Sequence, residues 1–199
     1  MSNDSKTNLP LRKRLSPLSL GCVTFGREID EPTSFAMMDH ALAKGIRHFD
    51  TAAAYAAGAS ERVVGAWFAS RRPEAGAIVV ATKILPPYTP GGIETAIRAS
   101  SERLGSAPLD LLYLHRWDET AAAPETLQAL DRLVRDGRVK ALGVSNAPAP
   151  QLARLIELQK SLGLAPISAV QNNHNIAVRD VDDALRDVCR SHDVAIVTY

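Results

Sequence analysis

Cysteine is scarce in this 199-residue chain: only Cys22 and Cys189 are present. They lie far apart, with no CxxC or Cys/His zinc spacing, so neither a disulfide framework nor a metal site organises the fold, and no metal ligands are expected. Net charge is also close to nil, at +1. Such a chain has no field to draw nucleic acid or an anionic membrane, and any anionic ligand must be held by local groups. The basic cluster Arg12-Lys13-Arg14 reads as solvated surface ahead of the first strand. No segment approaches 18 apolar residues, and the opening MSNDSKTNLP lacks the apolar stretch of a signal peptide; a cytoplasmic protein without a membrane span is the expectation. The fingerprint G-x-G-x-x-G is missing too. The turn after the first predicted strand reads GCVTFG, which does not supply the phosphate-cradling glycines of a doubly wound dinucleotide fold.

What the chain does have is a 46% hydrophobic composition, suited to one soluble globular domain spanning residues 1–199. Six apolar runs each end on a polar residue: at Asp50, Lys83, His115, Ser145-Asn146, Gln171-Asn172 and Tyr199. Their ends recur at roughly 30-residue intervals, the length of one strand plus one crossover helix. In parallel βα folds ligands bind at the carboxyl ends of the strands. Strand ends that hand Asp, Lys and His to one rim in three successive units therefore suggest an active site.

After a polar tail to about Asn8 and an irregular or hairpin segment at Pro10–Pro17, strands are predicted at Leu18–Val23, Arg47–Asp50, Ile78–Lys83, Leu109–His115, Val139–Ser145, Ser168–Asn172 and Ala195–Tyr199. Helices are predicted at Glu31–Lys44, from Ser60 onward, and at Ile93–Leu104, Pro124–Arg135, Pro150–Leu162 and Val181–Ser191. Helical spacing is clear in Phe35, Met38, Ala41 and Leu42, in Val63, Val64 and Trp67, and in Leu127, Leu130 and Val134. Pro124 suits a first helical turn and Asp136-Gly137 a helix end. Ser60-Glu61 reads as an N-cap with an acidic first turn. Met37 and Met38 read as core filler, His40 and His192 as surface residues, and His48 as lying on the face of its strand opposite to Asp50.

Seven strands and six intervening helices in strict alternation fit a (β/α)8 TIM barrel better than an open sheet, whose functional residues would gather at one switch point. A barrel takes eight strands and about 250 residues. The chain is thus expected to be a C-terminally incomplete barrel, truncated after its seventh strand, with open strand edges and a marginal, self-associating or partly molten fold.

Asp50, Tyr55, Lys83 and His115 carry the chemistry. A tyrosine can protonate a developing alkoxide, but a phenol with a pKa of about 10 is sluggish at neutral pH. A neighbouring ammonium stabilises tyrosinate, a carboxylate keeps that ammonium charged and aimed, and a histidine orients a carbonyl oxygen. Together they make an acid catalyst for carbonyl reduction without a metal. Singly, each has a plainer reading: Asp50 a turn former, Tyr55 a loop aromatic, Lys83 a solvated strand end, His115 a core histidine.

The segments FDTAAAY (Phe49 to Tyr55), YAAGASE (Tyr55 to Glu61), ATK ending at Lys83, DLLYLHRWD (Asp110 to Asp118), LGVSN (Leu142 to Asn146) and VQNN (Val170 to Asn173) resemble, in order, those of the aldo-keto reductases. The resemblance implies a (β/α)8 barrel that binds NADPH without a Rossmann domain and acts on a small carbonyl or sugar-like substrate. It implies that Tyr55 is the general acid, Lys83 and Asp50 its tuning pair, and His115 the substrate orienter. Ser145, Asn146 and Gln171 resemble the residues that bond the nicotinamide carboxamide, and Tyr199 the aromatic stacked on its ring. Gly21 and Cys22 occupy the first-strand turn near the cofactor, with Cys22 where the family commonly has Thr. Trp117 either lines the substrate pocket or only packs at the base of its loop. Two departures stand out. Ala56 follows Tyr55 where relatives often have Gly, and the family's pyrophosphate and 2′-phosphate grips come mostly after the seventh strand, so this chain is expected to bind NADPH poorly. Two other functions compete: a Schiff-base aldolase using Lys83, and a non-catalytic, cofactor-binding interaction subunit.

Overall fold

The computed structural model describes residues 10–74, 76–105 and 107–199; the polar tail predicted to Asn8 lies outside them. Along the chain run α1 (Leu11–Arg14), β1 (Leu20–Gly21), α2 (Glu31–Ala43), β2 (His48–Asp50), a 3₁₀ turn (Tyr55–Gly58), α3 (Ala59–Arg71), β3 (Val79–Ile84) and α4 (Pro90–Leu104). Then come β4 (Leu111–Leu114), a second 3₁₀ turn (Glu119–Ala122), α5 (Pro124–Arg135), β5 (Ala141–Ser145), α6 (Ala149–Leu162), β6 (Ile167–Asn172), α7 (Asp183–Ser191) and β7 (Ala195–Thr198). The predicted alternation holds. Two details are corrected. Pro10–Pro17 contains the short helix α1 rather than only an irregular or hairpin segment, and the first strand is two residues long rather than six.

The elements start and stop where local chemistry directs. Asp30 caps α2 by accepting from the Thr33 N–H at 2.9 Å, and Asp182 caps α7 by accepting from the Leu185 N–H at 2.8 Å; each satisfies a backbone donor the helix cannot. Pro124 opens α5 as expected. The strand β3 is buried at all six positions, the signature of a parallel strand covered on both faces.

The described chain forms two compact units: one runs to Ile84 and adds Thr95–Leu111, the other comprises Leu85–Glu94 and Leu112–Tyr199. In the first, β1, β2 and β3 are parallel neighbours, with Gly21 opposite Asp50 and Asp50 opposite Ala81. Its core gathers Phe25, Met38, Phe49, Val64, Trp67 and Leu104. Trp67 packs edge-on against Phe49 and Phe68, at 5.5 and 5.2 Å between ring centres, and its indole N–H finds Asp39 at 2.8 Å. Met38 is buried as predicted, whereas Met37 is exposed; one position along a helix moves a side chain about 100° and off the core face. The Arg14 guanidinium of α1 reaches Asp110 at 2.7 Å, with both side chains buried, and Asp110 also accepts from the Val80 N–H. The basic cluster predicted as surface thus sends one member inward. In the second unit, β5, β6 and β7 are parallel, with Ser145 opposite Gln171 and Gln171 opposite Val197. No helix among the described residues is long and apolar enough to cross a membrane.

Gly65 in α3 sits where that helix meets the end of α4: a β-carbon there would lie 2.5 Å from the Leu104 carbonyl oxygen and 2.6 Å from that of Arg103. Backbone cannot swing aside as a side chain can. Gly65→Ala is therefore expected to destabilise the fold by about 1–3 kcal/mol through overpacking, measured by denaturant unfolding. An unchanged midpoint would show that the two helices part without cost.

Candidate active site

Asp50 ends β2 and Lys83 lies near the end of β3. Because Asp50 is in register with Ala81, and side chains two apart share a face, Lys83 and Asp50 project to the same side one step apart. The ammonium of Lys83 donates to Asp50 Oδ2 at 2.7 Å, to the Thr51 carbonyl at 2.9 Å and to the Tyr55 hydroxyl oxygen at 3.1 Å. A lysine ammonium has three N–H donors, and all three are used. Lys83 is 1% exposed, so the pair is a buried one. The backbone arranges these acceptors: beyond β2 the chain keeps bonding to β3, Thr51 N–H to the Ala81 carbonyl and Ala53 N–H to that of Lys83. A turn with Tyr55 N–H on the Ala52 carbonyl then brings the phenol back over Lys83, whose ammonium lies 4.7 Å from the ring centre. Asp50 Oδ1 is buried and finds no hydrogen-bond partner among the described residues.

Around this triad lies a buried polar layer. Ser60 is not the cap of α3; Gly58 occupies that position. The buried Ser60 hydroxyl instead donates to the Cys22 carbonyl at 2.7 Å and meets Thr51 Oγ1 at 2.7 Å. Glu61 is fully buried, accepting from Thr82 Oγ1 at 2.5 Å and from Arg103 Nε at 2.6 Å. Glu61 stands in the first turn of α3 as expected; residue spacing alone could not show that it is also buried and ion-paired. Contrary to expectation, His48 shares the face of Asp50, since residues two apart in the regular strand β2 point the same way. The imidazole is buried, with Nδ1 2.5 Å from Ser19 Oγ. Burial pushes its pKa below the ordinary histidine value, against the pull of Asp50. The thiol of Cys22 packs in the core, where burial and the Asp50 charge raise its pKa far above the usual range. It is no nucleophile, and of the Gly21-Cys22 pair only Gly21 is exposed.

The second unit holds the remaining predicted residues. Ser145 Oγ donates to the Gln171 carbonyl at 2.8 Å. The Asn146 amide donates to the His115 carbonyl at 3.1 Å and to Ser145 Oγ at 3.0 Å, and its oxygen accepts from the Tyr199 hydroxyl at 2.6 Å. Asn172, beside the predicted Gln171, both donates to and accepts from the Ala147 backbone. It braces the loop that carries Asn146. Trp117 is half-buried, its indole N–H on Glu119 at 3.0 Å. Its loop is fastened by Tyr88, a residue the sequence did not single out: the phenol donates to the Arg116 carbonyl at 2.8 Å and accepts from the Arg116 N–H at 3.2 Å. Burial raises the Tyr88 pKa to about 12, so this staple stays un-ionised across the physiological range.

Against known proteins, residues 17–199 match the sequence model of the Aldo/keto reductase family. Among similar proteins, the norsolorinic acid reductase of Aspergillus flavus is 33% identical over 94% of this chain and 53% of its own length. Norsolorinic acid reductase B of Aspergillus parasiticus is 34% identical over 94% and 54%, and an aryl-alcohol dehydrogenase of Pestalotiopsis microspora is 30% identical over 94% and 54%. The chain spans about half the length of these relatives. Among solved structures, an aldo/keto reductase from Klebsiella pneumoniae in complex with NADP and acetate superposes with a TM-score of 0.79 at 23% identity, over 93% of this chain and 64% of that one. A thermostable aldo-keto reductase bound to the inhibitor epalrestat gives 0.81 at 25%, over 93% and 68%. The fold is thus that of the α/β barrel reductases, and the chain belongs to the aldo/keto reductase family.

Proposed function

We propose that this protein reduces an aldehyde or ketone to the alcohol, or runs the reverse oxidation, with NADPH as reductant and Tyr55 as the proton donor. The observation that carries the reading is the Lys83 ammonium, hydrogen-bonded at once to Asp50 and to the Tyr55 hydroxyl. Lys83 donates to the phenol oxygen, so the hydroxyl's own proton is directed away from the ammonium. Negative charge that develops on Tyr55 as the proton leaves falls beside a fixed cation in a water-poor site, where such stabilisation is strongest. Asp50 holds that cation in place.

The residues fit a nicotinamide cofactor. Asp50 Oδ1, buried and unpartnered, is an acceptor suited to a sugar hydroxyl. Ser145, Asn146 and Gln171 form a neutral amide and hydroxyl set suited to a carboxamide, and Tyr199 offers a flat ring. When bound, the reduced cofactor supplies the hydride. The NADP complex of the Klebsiella relative and the reductase and dehydrogenase names of the similar proteins support the choice. His115 is assigned the orienting of the substrate carbonyl, and Trp117 a place in the substrate pocket. The aldolase alternative is disfavoured by the same observation: a Schiff base needs a neutral amine with a lone pair, and Lys83 has all three N–H donors committed.

Two substitutions test this. Tyr55→Phe keeps the ring and removes the proton, and is expected to lower turnover by about 10²–10⁴-fold with cofactor affinity, read by nicotinamide fluorescence, little changed. Near-normal carbonyl reduction by the variant would exclude Tyr55 as the acid. Lys83→Met leaves Asp50 a buried carboxylate with no counter-charge, so activity and stability should fall together, the latter by about 3–5 kcal/mol. A thermal midpoint equal to the parent's would mean that Asp50 and Lys83 are not a buried pair in solution.

A further inference from the structure

The segment between Tyr55 and α3 is bent against the preference of its residues. Ala56 has φ 49° and ψ 42°, Ala57 has φ 50° and ψ 42°, and Gly58 follows at φ 82° and ψ 2°. Three left-handed residues in a row are rare, and a β-carbon makes that region unfavourable for the two alanines. Such a conformation persists only where its surroundings over-determine it.

The surroundings are specific. Arg103 of α4 lies flush across Gly58: a β-carbon at residue 58 would stand 2.6 Å from Arg103 Cδ and 2.7 Å from its Nε. Its guanidinium is held by Glu61, three residues further on, at 2.6 Å, and by Ser100 at 3.2 Å. The other oxygen of Glu61 is taken by Thr82, the residue before Lys83 on β3. One buried carboxylate therefore ties the start of α3 both to the arginine that covers the turn and to the strand that carries the ammonium.

We propose that the left-handed turn Ala56–Gly58, locked by Glu61 and Arg103, is a positioning device that holds the Tyr55 hydroxyl at hydrogen-bond distance from Lys83. Ala56, Ala57, Glu61 and Arg103 touch no reacting atom; they act through Tyr55. The inference rests on the assignment of Tyr55 as proton donor. A relaxed connection would let the phenol drift from the ammonium, and misplacement by about 1 Å is enough to cost about 10²-fold in rate.

The test is Glu61→Gln, which keeps the shape and removes the charge facing Arg103, so that the lock weakens while the turn stays strained. The Tyr55 N–H bonds the Ala52 carbonyl and the Ala59 N–H those of Tyr55 and Ala56. Hydrogen exchange at these two amides should speed up about tenfold or more, as local opening becomes easier than global unfolding. In turnover, kcat should fall about 10–100-fold with KM nearly unchanged. Adding Ala56→Gly and Ala57→Gly removes the steric penalty of the turn and should restore part of the lost protection and turnover; no recovery would count against the lock. Unchanged protection at the two amides in Glu61→Gln would overturn the proposal, as would parental kcat in that variant while Tyr55→Phe abolishes turnover. If Tyr55→Phe itself retains turnover, the proton-donor reading falls, and amide exchange alone then decides the positioning role.

Discussion

A buried lysine is costly, and this molecule's site depends on how that cost is met. An ammonium withdrawn from water loses several kcal/mol of solvation unless its surroundings replace it. Around Lys83 the replacement is complete: a carboxylate, a peptide carbonyl and a phenol oxygen take one N–H each. None of these acceptors is adjacent to Lys83 in sequence. The carboxylate comes from the end of β2, the carbonyl from the residue after it, and the phenol from the turn beyond. Pairing of β2 with β3 in a single register is what brings them together, so that a slip of one residue would turn Lys83 to the other face. Strand register and ammonium solvation are in this sense one constraint.

The second layer follows from the first. Thr51, whose carbonyl faces the ammonium, shares a hydrogen bond with Ser60, and Ser60 donates to the Cys22 carbonyl beside Asp50. Glu61 spans Thr82 and Arg103. Buried polar groups are tolerated when bonded, and a connected network gains rigidity from it. Asp50 Oδ1 and His48 Nε2 are exceptions. The first is the carboxylate oxygen that Lys83 does not take, and on the proposed reading a cofactor hydroxyl would complete it. The second belongs to an imidazole whose burial favours the neutral form, against the pull of Asp50.

Much of this was legible beforehand. The apolar runs fixed where the strands end, and the residues on those ends, Asp50 and Lys83 above all, meet as their chemistry suggested. Helical periodicity placed α5 to the residue because Pro124 and Gly137 punctuate it. What stayed hidden depends on partners far along the chain. The two-residue β1 has too few positions to show a period, and α1 is ordered by Leu11 and by the Arg14 to Asp110 contact, across 96 residues of sequence separation. Ser60 and Glu61 carry the local signature of a capped helix start, and only the positions of Thr51, Thr82 and Arg103 turn them inward. Tyr88 follows Pro86 and Pro87 in the short stretch ahead of α4, which gave no reason to expect a buried phenol. A local pattern reports a residue's own helix or strand; a buried polar group is decided by whatever the fold sets against it.

The two units solve their polar problems differently. In the first, charge is buried and paired. In the second, the predicted site residues Ser145, Asn146, Gln171 and Tyr199 are uncharged, and orientation replaces charge. Asn146 sits at φ 54°, a left-handed conformation that asparagine accepts more readily than most residues, and this turns its amide back toward β4 and β5. Both N–H donors are then committed, to the His115 carbonyl and to Ser145 Oγ, while the amide oxygen accepts from Tyr199. The orientation of the amide is thereby fixed, since a flip would set its oxygen against the His115 carbonyl, which can only accept. An amide oxygen has two lone pairs. Once one is given to Tyr199, the remaining capacity of Asn146 is a single acceptor site, and on the proposed reading that site suits the N–H of a cofactor carboxamide. The network that holds the side chain still is also what leaves it able only to accept.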